Sequence, residues 1–309
     1  MREYRAMLML ITTAFIWGIG FVAQNVAMDY MEPFIFNAVR FGLGGLSLIP
    51  VILIMNNKSK ASEPQLSDEQ KLENRGLIIR AGLCGGGVLF LAAATQQFGI
   101  AITGSASKAG FITGLYIVLV PILGIFFGRK TTGFVWIGAV SSVVGLYLLS
   151  VTDGFGAIDI GDGLLLLCAF GWAAHILVID RFVEKVKPLT FAAAQCLVCA
   201  AASLVAAIAT EEINLGNIIA GYQPVMFSAF ISVCFAYTLQ IIGQKHVPPG
   251  KSAVIFSMES VFAALAEVVL LGTFLTGRGY VGSGFIFAGI LISQIQLKNK
   301  SKVEGIDET

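Results

Sequence analysis

Glu259 is the most demanding group in this sequence. It sits in SMESVFAAL at 257–265, inside an apolar run that begins near residue 251. At ~1.5 Å of helix rise per residue it lies roughly 12 Å from the start of that run, too deep for so short a side chain to reach water. A charged side chain at a bilayer centre costs roughly 2.5–3.5 kcal/mol, so the group needs an explanation. One reading is a protonatable, solute-facing carboxyl that couples proton movement to transport. The other is an acid kept neutral and hydrogen-bonded to a neighbouring helix.

Other polar residues recur at helical spacing. Trp17, Phe21, Gln24 and Asn25 stand at i, i+4, i+7 and i+8, one face of a helix. Trp172 and His175 form a similar face further along. Lys108 and Tyr116 are two turns apart and place a cation and a phenol on one face, suited to contacting an anion or to gating. Together these residues are the expected lining of a substrate cavity, with helix packing as the bland alternative. His175 can titrate near neutral pH or be satisfied by a neighbouring carbonyl. Arg40, one turn after Asn37, fits snorkelling, helix–helix bonding or solute contact equally well.

The sequence contains no G-x-x-x-x-G-K-[ST], no H-E-x-x-H and no recognisable Ser-His-Asp or Cys-His set, so neither ATP-driven transport nor enzyme chemistry is expected. With two His and five Cys in the whole chain, neither a metal site nor a cofactor is expected. The single C-x-x-C at Cys196 and Cys199 has no second pair with which to form a zinc set. Buried apolar thiols are the expectation. The 20 basic residues balance 19 acidic ones, which gives no electrostatic reason for a nucleic-acid partner.

The elements that must position these groups follow from composition. Of 309 residues, 56% are apolar and 13% charged, against roughly 25% charged in soluble domains. No soluble core of this size hides that much apolar surface. An all-α polytopic membrane protein is expected, embedded in a lipid bilayer. Ten segments reach about 20 predominantly apolar residues, near 6–28, 33–55, 78–100, 104–127, 132–150, 162–181, 189–210, 223–243, 251–271 and 277–297. The polar stretch 56–77 reads as a mobile loop. All 20 Lys and Arg fall on one side except Arg40, Lys108 and Arg278. The bias toward positive charge inside then puts both termini and 56–77 in the cytoplasm and 151–161 outside.

The chain also repeats itself. A shift of 155 aligns Trp17 with Trp172, Pro33 with Pro188 and Phe36 with Phe191. A shift of 144 aligns Gly138 with Gly282 and Gly145 with Gly289. Five spans per half, 1–150 and 151–309, make the halves inverted relative to each other. Such halves place a binding site at their interface and rock around it.

On WGIGFV at 17–22, Pro33 with RFGLGGL at 40–46, SASKAGFITGLYIVLVP at 105–121, AFGWAAH at 169–175, SMESVFAAL and the Gly282/Gly289 pair, the chain resembles the EamA-type transporters of the drug/metabolite transporter superfamily. It departs from them where Glu259-Ser260 replaces a frequent Glu-Pro. The resemblance implies ten transmembrane helices in two inverted five-helix repeats and a secondary active exporter of small metabolites or organic solutes. It also implies a central cavity and no covalent cofactor. A bacterial plasma membrane is the expected location. A non-transporting receptor or scaffold and a lipid-handling protein are the alternatives. Substrate, coupling ion, transport direction and oligomeric state, a homodimer included, stay open.

Overall fold

The computed structural model describes residues 2–59, 67–104, 106–150, 159–271 and 276–295, and every regular element among them is a helix. The first half contains α1 (Arg2–Ala27), α2 (Pro33–Ser59), α3 (Asp68–Thr103), α4 (Ala106–Gly114), α5 (Tyr116–Phe126) and α6 (Gly133–Ser150). The second contains α7 (Ile160–Phe182), α8 (Pro188–Thr210), the short α9 (Leu215–Ala220) and α10 (Tyr222–Met226), then a π-helical segment at Phe227–Ala236. It continues with α11 (Tyr237–Gln244), α12 (Pro249–Phe256), α13 (Met258–Leu271) and α14 (Gly277–Ser293). Among the described residues, seven helical stretches are long and apolar enough to cross a membrane, and Gly133–Leu149 is a shorter apolar helix. Large apolar side chains such as Leu46, Leu91, Ile137, Ile208 and Leu291 face outward, as lipid-facing surface requires. This is a multi-pass membrane protein.

Four sequence expectations need correction. The stretch 56–77 is not a loop throughout, because α2 runs on to Ser59 and α3 begins at Asp68. The reason is local: Ser67 and Gln70 form a reciprocal capping box, the Ser67 hydroxyl accepting from the Gln70 amide and the Gln70 side chain accepting from the Ser67 amide. This satisfies two otherwise orphaned donors at the helix start. The segments 104–127 and 251–271 are not continuous helices. The first breaks at Leu115 and the second at Ser257, each with i→i−3 backbone bonds around the break. Pro121 denies Ile117 its i+4 donor just past the first break. At the second, the Ser257 hydroxyl donates to the Val254 carbonyl oxygen at 2.6 Å, a local bond that competes with helix continuation. The segment 223–243 is likewise divided by its π-helical turns.

Packing is set by small residues that let backbones approach. α6 and α14 cross where Gly138 lies on Gly289 and Gly145 on Gly282. A Cβ added at Gly138 or Gly145 would sit 2.5 Å from the opposing glycine's carbonyl oxygen. α2 packs along α8, α3 lies against α7 and α8, and α1 against α13 and the π-helical segment. Pro33 opens α2, and the two backbone amides that follow, those of Phe34 and Ile35, donate to the two carboxylate oxygens of Glu211, each at 2.8 Å. Glu211 thus ties the start of α2 to the end of α8. Burial raises its pKa above the usual carboxylate value, against the pull of those two amides.

The glycine crossing gives a direct test. Gly145→Val should lower the thermal stability of the purified protein in detergent by about 1–3 kcal/mol, because the new side chain would run into the Gly282 carbonyl oxygen and the backbone and side chain of Ile286 on α14. Gly284→Ala, which adds a Cβ where nothing lies within 4 Å, should leave the melting temperature unchanged. Equal behaviour of the two variants would show that α6 and α14 can separate at no cost.

Candidate functional site

The two broken helices meet at the centre of the molecule. Tyr116 is the first residue after the Leu115 break, and Glu259 follows the Ser257 break by two positions. The Tyr116 hydroxyl donates to Glu259 Oε1 at 2.9 Å, and both residues are buried. Gly18 of α1 lets this part of α13 come close, since a Cβ there would lie 2.6 Å from the Glu259 carbonyl oxygen. Irregular backbone is tolerated within a membrane protein where it is buried or lines a cavity. A cavity is present, and both Tyr116 and Glu259 line it.

Trp17, Phe21 and Gln24 of α1 line the same cavity, as does Trp172 of α7. Trp17 stands against Tyr237, Phe256 and Trp172 with ring centroids 5.1, 5.4 and 6.0 Å away. Free space amounts to ≈ 40 Å³, room for a few waters at roughly 10–15 Å³ each. A solute of metabolite size needs the rings to part.

Two residues chosen from the sequence stand outside that lining. Asn25 is one residue, or about 100° of helix turn, past Gln24. His175 sits behind the wall, edge-on to Trp172 at 5.6 Å and to Tyr237 at 6.1 Å, with its Nε2 3.1 Å from Gln195 Oε1. Three residues of helix rotation place it about 60° from Trp172. The side chain of Lys108 lies outside the described residues.

The structure also brings in Arg40, for which the sequence left solute contact as one of three readings, and Gln240, which the sequence did not single out. Arg40 of α2 lines the cavity. Its Nε donates to Asn37 Oδ1 at 2.9 Å, and Asn37 Nδ2 donates to the Ala93 carbonyl oxygen at 3.2 Å. The guanidinium lies 4.8 Å from the ring centroids of Phe36 and of Phe41, close enough for cation–π attraction. Among the described residues no carboxylate is in ion-pair range of Arg40. Gln240 of α11 also lines the cavity and is fully buried, and neither its amide oxygen nor its amide nitrogen has a hydrogen-bond partner. The Gln24 Oε1 atom has none either. Each such atom costs about 1–3 kcal/mol while unsatisfied. Their chemistry suits a polar solute. Among the described residues no group of three His, Cys, Asp or Glu could hold a metal ion.

Comparisons with known proteins agree with a transport role. The profile of the EamA-like transporter family matches residues 4–151 and again 159–294. A protein of Archaeoglobus fulgidus named as an uncharacterized transporter is 30% identical, covering 93% of this chain and 85% of its own length. The threonine/homoserine exporter RhtA of Escherichia coli K12 is 26% identical over 97% of this chain and 94% of its own. One solved crystal structure, at 20% identity, superposes with a TM-score of 0.74 over 94% of this chain and 96% of its own.

The phenol–carboxyl bond can be weighed by a double-mutant cycle. Tyr116→Phe and Glu259→Leu should each destabilise the protein. The double variant should lose less than their sum, with a coupling of about 0.5–1.5 kcal/mol, the net worth of a typical hydrogen bond. Additive losses in thermal unfolding would show that the bond contributes nothing.

Proposed function

Given that the chain belongs to the EamA-like transporter family, we propose that it is a secondary active exporter of small polar metabolites working by alternating access. The observation that carries this reading is the small cavity that Glu259, Tyr116 and Arg40 line between helices of both halves. The proposed lining comprises Trp17, Phe21, Gln24, Tyr116, Trp172 and Glu259. Export rather than uptake rests on the name of the threonine/homoserine relatives.

In this reading the apolar helices make ten crossings, arranged as two inverted five-helix repeats over 1–150 and 151–309. Several observations support it. The family profile matches twice, once in each half. Gly138 and Gly145 align in sequence with Gly282 and Gly289, and they touch in the crossed order, Gly138 on Gly289 and Gly145 on Gly282. An axis that exchanges the halves requires that order. Trp17 and its sequence equivalent Trp172 meet at the cavity.

At the other end of α5 and α12, ion pairs link the halves. Arg129 pairs with Asp180, and Lys251 Nζ lies 3.7 Å from Glu3. A space of ≈ 430 Å³ is lined by Arg129, Asp180 and Lys251. Rocking that opens the cavity on this side must break these contacts, which makes them candidate gate contacts.

Glu259 is the proposed proton carrier, taking a proton on one side and releasing it on the other. Glu259→Gln keeps the shape and removes the titration. In vesicles with an imposed pH gradient, the variant should lose gradient-driven accumulation while retaining substrate exchange. Full accumulation would remove Glu259 from the coupling role. Topology is tested separately. With both termini cytoplasmic, a Cys placed at Ser67 on a Cys-free background should not react with a membrane-impermeant reagent applied to intact cells. Labelling from outside would reverse the orientation.

A further inference from the structure

The ≈ 430 Å³ space at the ends of α5 and α12 is lined by Arg129, Lys130, Lys245 and Lys251 against one carboxylate, Asp180. Each half of the chain supplies two of the cations, so like charges from both halves repel around one opening. Asp180 neutralises Arg129, and Lys245 lies 3.7 Å from Glu184. Lys130 is exposed, and among the described residues no carboxylate is in ion-pair range of it. Lys251 is only 6% exposed, yet its Nζ makes no hydrogen bond among the described residues. Glu3 Oε1 stands 3.7 Å from it, beyond hydrogen-bond length. Burying ammonium donors unbonded is costly. Beside it, Pro248 and Pro249 open α12 without an N–H, and the first backbone bond there runs from the Ser252 amide to the Pro248 carbonyl oxygen at 2.9 Å. The amides of Gly250 and Lys251 therefore stand free at the positive end of a helix.

These donors ask for an anion with several acceptor oxygens around one centre. A halide offers a single atom, whereas a phosphate ester presents about three strong acceptor oxygens to ammonium, guanidinium and amide donors together. Basic pockets between membrane helices hold anionic lipid headgroups in the same way. The neighbouring surface suits such a lipid: Ile125, Phe126 and Phe127 lie between the lining residues Gly124 and Gly128 and are 58, 82 and 72% exposed. Apolar surface for acyl chains thus adjoins the basic space. We propose that this space is a site for an anionic phosphate ester, a lipid headgroup or a soluble one, held by Lys251, Lys130, Arg129 and the first amides of α12. Because the ligands come from both halves, the bound phosphate ties the halves together at this end. The site stands on its own geometry and not on the transport reading.

The test uses the full chain purified in a non-ionic detergent, with its melting temperature followed at constant ionic strength. The probes are dihexanoyl phosphatidylglycerol, dihexanoyl phosphatidylcholine (the zwitterionic control), glycerol 3-phosphate and chloride. Phosphatidylglycerol, glycerol 3-phosphate or both should raise the melting temperature saturably, as a ligand of the folded state does, and phosphatidylcholine and chloride should not. A response to phosphatidylglycerol alone assigns the site to a lipid headgroup. An equal response to glycerol 3-phosphate assigns it to a soluble ester. Lys251→Gln and Lys130→Gln should each weaken the binding on the order of tenfold. Arg80→Gln, exposed on α3 and outside the lining, should leave it unchanged. Should Lys251→Gln not fold, the comparison of Lys130→Gln with Arg80→Gln decides the matter. No response to either anionic ester, the same response to all four probes, or a folded lysine variant with undiminished affinity overturns the proposal. The transport reading fails separately: saturable binding here without flux in vesicles keeps the site and removes the transport role, and flux without binding does the reverse.

Discussion

A carboxyl group enclosed by apolar helices must find a donor, and Glu259 finds the phenol of Tyr116 across the meeting point of two interrupted helices. Much of the central architecture serves that meeting. The breaks at Leu115 and Ser257 turn the following residues toward each other. Gly18 removes the side chain that would hold α1 away from the Glu259 backbone. Without close approach at that glycine, Trp17 and Phe21 would stand back from the cavity they line. The hydrogen bond lowers the cost of burying the acid, and the interrupted backbone places it where a solute can reach it.

The surrounding helices differ in how freely they can move. α6 and α14 are locked by reciprocal contacts in which the glycines of each helix lie on the backbone of the other, which suits a fixed support. The aromatic contacts of Trp17 with Trp172, Tyr237 and Phe256 are looser, with centroids 5–6 Å apart. Rings of this kind can slide or part without breaking a hydrogen bond. The π-helical segment beside them carries Ser232 into the cavity wall, and such turns often mark functional positions. The rigid and yielding parts therefore fall where a rocking mechanism needs them.

Electrostatics make the centre unusual for a lipid-embedded bundle. Arg40 and Glu259 face one cavity but do not pair, and each is held by its own neutral neighbour, Asn37 or Tyr116. Had they formed a salt bridge, neither would be available to a solute. Holding them apart costs stability, and the cation–π contacts with Phe36 and Phe41 offset part of it for Arg40.

The sequence alone determined that the chain is built of apolar helices for a membrane, because length and composition leave no other way to satisfy the backbone. It also determined which residues share a helix face, because 3.6 residues per turn is a fixed geometry. Trp17, Phe21 and Gln24 were legible for that reason, and Glu259 because a lone carboxyl in an apolar run is conspicuous. Only the tertiary structure decided which faces of different helices meet. Arg40 lies far in the chain from Tyr237 and Gln240, and they join the site through α2 and α11, whose positions depend on glycine contacts with other helices. The breaks at Leu115 and Ser257 were equally hidden. Each is a contest between a local i→i−4 bond and the contacts that replace it, and the partners in those contacts are absent from any one segment of sequence. His175 shows the same limit at small scale: about 60° of helix rotation separates a cavity wall from the layer behind it, and packing sets that angle.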